Sequence, residues 1–272
     1  RIFEEWAKLI QRGEEPSRGL AFLRESGWVR YYPELEALIG CPQDPGWHPE
    51  GDVWTHTLHC MDAFAARRLH GEENAGWENL VVGLAVLCHD MGKPATTFTD
   101  EDGRIRSPGH EARGADPARR LLERLSAHRE LLEDVLALVT THMRPAELYK
   151  TGAGDSAIRR LARKVVRIDR LVRVAEADMA GRPPMPADFP AGRWLLTRAE
   201  HLRVKDAVPE PLIKGRHLIE RGMQPGPHFG PILEQCYEAQ LEGEFEDEAG
   251  GKACLDRILE LVSKLGRHDG AR

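Results

Sequence analysis

An apolar run from Leu84 to Cys88 leads directly into His89 and Asp90, and the chain then turns through Met91, Gly92, Lys93 and Pro94. A carboxylate brought inside by such a run needs a cation, a set of donors or a metal ion, because burying it unpaired costs several kcal/mol. Val53, His56, Cys60 and Phe64 recur at helical spacing, which turns His56 toward the apolar side of its helix. By the same arithmetic His142 continues the face of Val135, Leu138 and Val139, and Asp178 continues that of Leu171, Val174 and Ala175. Any one of these histidines alone would fit a hydrogen-bonded core residue. Together, His56, His89, Asp90 and Asp178 form a mixed nitrogen and oxygen set without a thiolate. Such a set suits manganese, iron, cobalt, nickel, zinc or magnesium.

The elements that must position these residues read as helices throughout, because apolar residues follow a period near 3.6 and strand-like alternation is scarce. Asp52 is the expected N-cap of a helix from Val53 to about Leu69. Further helices are expected at 78–90, 114–126, 129–143, 155–165 and 167–180. The one β-compatible stretch is ATTFTDEDGRIRS, where Asp102-Gly103 is a hairpin turn signal. Asp100 and Asp102 therefore read as turn residues. The proline-rich GRPPMPADFP after Ala180 marks a break, and more helices are expected near 192–205, 214–221, 228–241 and 252–266.

The chain has 272 residues and a formal net charge of −6, with 41% hydrophobic and 30% charged residues, as in ordinary globular proteins. Its longest apolar run, Leu80 to Cys88, is too short to cross a bilayer, so no membrane partner is expected. Five cysteines without C-x-x-C spacing indicate neither a disulfide framework nor a thiolate zinc site, and a cytoplasmic setting is expected. Between Arg159 and Arg173 seven basic residues face one acid, Asp169. Arg159, Arg163 and Arg167 would share a helical face. That face reads either as solvated surface or as a phosphate-binding stripe.

The order His56, His89-Asp90, Asp178 resembles the H…HD…D pattern of the HD superfamily of metal-dependent phosphohydrolases, whose members hold a divalent ion on an all-α scaffold. His110 in SPGHEARGA and His142 in LVTTHMRP match two further histidines of members with a longer pattern. The resemblance implies one or two divalent ions, with His110 and His142 as ligands of the second and Asp90 as the bridge. Beyond the ligands, RGLAFLRESGWVRYYPELEALIGCPQDPGWHPEGDVWTHTLHCMDA, AEADMAGR and GRHLIERGMQPGPHFGPILEQCYEAQLEGEF are similar to the body of bacterial tRNA nucleotidyltransferases (CCA-adding enzymes) that carry an HD domain. The glycine loop and aspartate pair of that family's nucleotidyl-transfer head are not found here. The implied architecture is an all-α HD bundle with one small β-hairpin and a C-terminal helical appendage. It divides into a helical neck (1–48), the HD domain (49–186) and the appendage (187–272).

The resemblance points to metal-activated hydrolysis of nucleotide or RNA-end phosphates, 2′,3′-cyclic phosphates foremost, with Asp90 and Lys93 in catalytic positions. Lys93, Arg113 and Arg182 are the expected phosphate-binding cations. A competing expectation is a tRNA-binding body, either excised from a longer enzyme or acting with a separate catalytic head.

Overall fold

The computed structural model describes residues 1–125 and 128–269, with only the backbone described for 263–269. The expected end of the 114–126 helix and the last three residues of the 187–272 segment lie outside the described residues. The fold is all-α with one antiparallel hairpin. In chain order it runs α1 (Ile2–Arg12), α2 (Pro16–Glu25), a 3-10 turn (Trp28–Tyr31), α3 (Pro33–Glu36), α4 (Val53–Ala65), α5 (Ala75–Cys88) and α6 (Lys93–Thr96). The hairpin β1 (Phe98–Thr99) and β2 (Ile105–Arg106) follows, then α7 (His110–Arg113), α8 (Ala115–Leu125), α9 (Arg129–Val139), α10 (Arg144–Thr151), α11 (Asp155–Val165) and α12 (Ile168–Ala180). The C-terminal part holds α13 (Pro190–His201), α14 (Gly215–Ile219), α15 (Phe229–Glu242) and α16 (Glu248–Asp269).

Helix α5 is central because its sequence has no polar face over its last turns: every residue from Leu80 to Cys88 is buried. It packs against α1, α4, α9 and α12. Gly83 permits the closest approach. A Cβ there would lie 2.3 Å from Ile10 and 2.7 Å from the Phe64 ring, so only glycine lets α1 and α4 close on α5. Helix α4 starts as its sequence predicts, since the Asp52 side chain accepts from the Thr55 amide at 2.8 Å. Asp100 anchors the hairpin turn by accepting from the Arg104 amide at 2.9 Å.

Two main cores and a small cluster of Ala175, Phe189 and Ala191 are separate in space among the described residues. The larger takes Trp6, Ile10 and Leu20 from the first helices, nearly all of α5, and Leu195, Ala199 and Val204 from around α13. The smaller is built from Ile213, Leu218, Ile232, Cys236, Phe245, Cys254 and Leu255.

The arginine run is not a phosphate-binding stripe. Helix α11 stops at Val165, and Val166 takes a left-handed φ of 62°, so Arg167 leaves the face of Arg159 and Arg163. Glu234, Glu238 and Glu242 sit four apart on α15 and meet that face. Arg163 reaches Glu234 at 2.7 Å and Glu238 at 2.6 Å, Arg160 pairs with Glu242, and Arg159 lies 3.6 Å from Glu246. Farther on, Arg170 is buried with Glu78 at 2.6 Å and Asp134 at 2.5 Å, and Arg173 donates to Asn79 at 2.6 Å. The run clamps the smaller core to the larger one.

Candidate metal centre

Four histidines converge on two aspartates at the centre of the larger core, and the backbone sets how each ring is turned. His89, in the turn after α5, presents Nδ1 to the Val86 carbonyl at 2.7 Å. His110, at the start of α7, presents Nδ1 to Ser107 O at 2.9 Å, and His142 to Val139 O at 2.8 Å. His56, on α4, turns Nδ1 to Glu50 Oε1 at 2.7 Å. An acceptor at Nδ1 holds the proton there, so in its neutral form each ring directs the Nε2 lone pair inward, the form a metal ion takes up.

The inward atoms form two adjoining groups. His56 Nε2 lies 3.1 Å from Asp178 Oδ1 and 3.7 Å from Asp90 Oδ2, and His89 Nε2 lies 3.2 Å from the same Asp90 oxygen. The other oxygen of Asp90 lies 3.2 Å from His110 Nε2, which is itself 3.2 Å from His142 Nε2. Asp90 thus offers one oxygen to each group. His56, His89 and Asp178 form one group of possible ligand atoms, joined by the Cys60 thiol, and Asp90, His110 and His142 form the other.

The residues fit a divalent ion on a direct observation. His89 Nε2 and Asp90 Oδ2 are buried and have no aligned hydrogen-bond partner among the described residues, although Lys93 Nζ comes within 2.7 Å of that oxygen. A buried carboxylate oxygen beside an unsatisfied imidazole nitrogen is costly unless a cation sits between them.

Among the protein's own groups the acids are ionised and charge shifts onto imidazoles beside them: burial disfavours a charged His56 ring, but Cys60, Asp178 and Glu50 outweigh it and push it well above 6.5. Burial would raise the carboxyl of Asp90, but His89 and Lys93 beside it hold it well below the usual range. Burial acts the same way on Asp178, where Arg182 and His56 prevail and keep it ionised. Burial lowers His142 to about 3, so its ring is neutral and its lone pair is available. Burial also lowers His48 to about 4. For His110, burial disfavours the charged form and Asp90 outweighs it, a net shift upward.

The cluster forms part of the wall of an open cavity of about 490 Å³, lined on this side by Asp90, Lys93, His110, His142, Asp178 and Arg182. Lys93 is buried, unlike a solvent-facing lysine after a helix stop, and is held between Asp90 and Gln43 Oε1 at 2.6 Å. Arg182 reaches Asp178 Oδ1 at 2.6 Å. Arg113 is exposed on α7 and does not line the cavity, so the structure does not bring it to the other expected phosphate-binding cations.

Three contributors had no sequence signal of their own. Glu50, from the proline-bounded loop before α4, holds His56 and also His48 Nδ1 at 2.9 Å. Gln43, from the same loop, holds Lys93. Helix α10 was not expected, although Pro145 in its first turn is compatible with a helix start; its Ala146, Glu147 and Lys150 line the cavity. The sequence WHPEGD places Glu50 two residues from each of two polar neighbours, a cue that only a known partner at His56 could have made legible.

Comparison with known proteins agrees with this geometry. Residues 53–174 match the HD domain family. Over 247 residues the chain is 34% identical to the Multifunctional CCA protein of Halorhodospira halophila, covering 87% of this chain and 53% of that protein. The Multifunctional CCA protein of Burkholderia lata is 32% identical over 250 residues, covering 89% of this chain and 54% of the relative. Residues 53–174 therefore carry an HD domain. Over most of its length it is homologous to Multifunctional CCA proteins, and it spans about half their length.

Proposed function

We propose that the chain is a divalent-metal-dependent phosphohydrolase acting on nucleotide or RNA-end phosphates, with 2′,3′-cyclic phosphates as its main substrate class. The observation that carries this reading is the convergence of four Nε2 lone pairs on Asp90 and Asp178 in the wall of an open cavity that also contains Lys93 and Arg182. His56, His89, Asp90 and Asp178 would hold one ion. His110 and His142, with Asp90 as the shared ligand, would hold a second. Such an ion supplies a Lewis acid for a phosphoryl oxygen and lowers the pKa of water toward about 7.

The chain's own residues supply the rest. Lys93 and Arg182 place positive charge at the cavity wall, where a phosphate gains negative charge as its bond to the leaving oxygen breaks. Gln43 and Asp90 keep the Lys93 ammonium at a defined position, so no side-chain search is needed at the moment of reaction. Homology to Multifunctional CCA proteins supports RNA 3′ ends as the natural phosphate source. It equally favours a second reading, a tRNA-binding body, because it extends beyond the HD domain into the smaller core. The pairing of Arg160 and Arg163 with acids of α15 takes the basic run out of the argument for an RNA-end phosphate, which leaves homology as its support.

The test is hydrolysis of adenosine 2′,3′-cyclic phosphate and of a nucleotide monophosphate panel by the full chain loaded with manganese, cobalt or nickel. Ring opening or phosphate release that disappears in Asp90→Ala is expected. No turnover of any substrate with any of the ions refutes the reading.

A further inference from the structure

Of the tryptophans, Trp6 and Trp54 are buried, whereas Trp28 and Trp47 are 59% and 63% exposed, and of these two Trp47 lines the cavity at the His and Asp cluster. Trp47 is not on a loose loop. Its amide donates to Asp44 O at 3.0 Å, the His48 amide donates to the same carbonyl at 2.8 Å, and Gly46 donates to Asp44 Oδ1 at 2.8 Å. Gln43 Nε2 closes the loop by donating to Gly51 O at 3.2 Å, and its Oε1 accepts from Lys93. Pro42, Pro45 and Pro49 restrict the backbone further. A large indole is thus held in water by a pinned loop, an arrangement that folding alone does not reward.

Trp47 lines the same cavity as the His and Asp cluster. The indole is joined there by Phe189, Met143, Met179 and Ile105, so the cavity sets an apolar side against its charged wall, with Asp44, Ser107, Glu147 and Lys150 also in the lining. Its volume of about 490 Å³ lies in the range of small-molecule sites. A ligand matching both parts is charged at one end and flat and aromatic at the other.

We propose that Trp47 is a nucleobase platform: it stacks the base of the nucleotide whose phosphate lies at the His and Asp cluster, and so selects nucleotides over other phosphate esters. The occupant follows from the page, since every base offers a flat π-face to an indole and a phosphate suits Lys93 and Arg182. This inference rests on the phosphohydrolase reading for the position of the phosphate. The stacking contact itself needs no turnover.

The experiment measures binding of adenosine 2′,3′-cyclic phosphate to the metal-free full chain by equilibrium dialysis, for the unaltered protein, Trp47→Ala and Trp47→Phe. Loss of one base-stacking contact should weaken binding roughly 5- to 100-fold in Trp47→Ala, while Trp47→Phe keeps most of the affinity. Because the side chain is exposed, neither variant should lower the melting temperature. Equal affinities for the unaltered chain and Trp47→Ala, or no binding by the unaltered chain, overturn the proposal.

A second measurement separates the two readings. With metal present, the ratio of kcat/KM for adenosine 2′,3′-cyclic phosphate to that for glycerol 1,2-cyclic phosphate, which has no base, should fall in Trp47→Ala through KM. An unchanged ratio overturns the platform even if hydrolysis is robust. Trp47-dependent binding with neither ester cleaved, and no phosphate released from the nucleotide monophosphates, supports the platform and refutes the phosphohydrolase reading.

Discussion

His110 and His142 point their Nε2 atoms at each other across 3.2 Å while both rings are held by backbone carbonyls at Nδ1. Two lone pairs directed together repel unless a proton or a metal ion lies between them. With Asp90 Oδ1 also 3.2 Å from His110 Nε2, the arrangement offers three possible ligand atoms for an ion, apart from those grouped around His56.

Replacing His142 by Phe, which keeps the ring volume, should therefore lower the metal bound per chain from two ions to one. Elemental analysis after dialysis against manganese or cobalt measures this directly. Two ions retained in His142→Phe would contradict the assignment, as would a single ion in the unaltered chain.

Glu50 should act on metal affinity without touching the ion. It fixes the His56 tautomer through Nδ1, and loss of such a partner weakens metal binding by about 10–100-fold in comparable sites. Competition with a chelating dye in Glu50→Ala tests this. An affinity unchanged from the parent would show that Gly181 O, 3.3 Å from the same nitrogen, suffices to orient the ring.

Gly92 sets how closely α7 approaches the turn that carries Asp90. A Cβ there would lie 2.0 Å from His110 O and 2.6 Å from the Gly114 amide nitrogen, both backbone atoms that can yield only if α7 shifts. Gly92→Ala should cost about 1–3 kcal/mol in urea unfolding, as overpacking does. It should also weaken the ion at His110 more than the ion at His56. Equal affinity at both positions would mean that the helix moves without its histidine.

Glu78 provides the pH prediction. Burial would raise its carboxyl, but the hydrogen bonds from Arg170 prevail and hold it below the ordinary value of 4.5. A carboxyl depressed by folding contributes stability that is complete above its unfolded pKa and is lost as the pH falls through the folded one. The stability difference between the parent and Glu78→Gln should thus be on the order of 3 kcal/mol at pH 7, since the change breaks a buried pair. It should shrink below about pH 4.5. Urea melts at pH 7 and pH 3.5 measure it, and a difference that is constant with pH would count against the linkage.

The inward direction of His56 and Asp178 was legible because helical phase is local: a residue's face depends on neighbours three and four positions away. Asp52 as an N-cap and the hairpin at Asp102-Gly103 were legible for the same reason. His142 was reached by phase through a helix that does not extend so far. Helix α9 ends at Val139, where Thr140 and Thr141 turn their hydroxyls back onto the carbonyls of Leu136 and Ala137, yet the following turn still points His142 inward.

The arginine run shows what local pattern omits. Its like charges are plain in the sequence, but the acids that neutralise Arg163 lie 71 and 75 residues away, and pairing over such distances leaves no periodic trace. From sequence alone come an all-α chain, a set of inward-turned imidazoles and carboxylates, and the resemblance to HD phosphohydrolases. The resemblance already implied Asp90 as a bridge; the tertiary structure decided which oxygen faces which histidines and that Arg113 stays outside. It also brought Glu50, Gln43 and Trp47 from one proline-bounded loop to the site. Those contacts arise from the packing of segments distant in the chain, which is governed by the shape of the whole core.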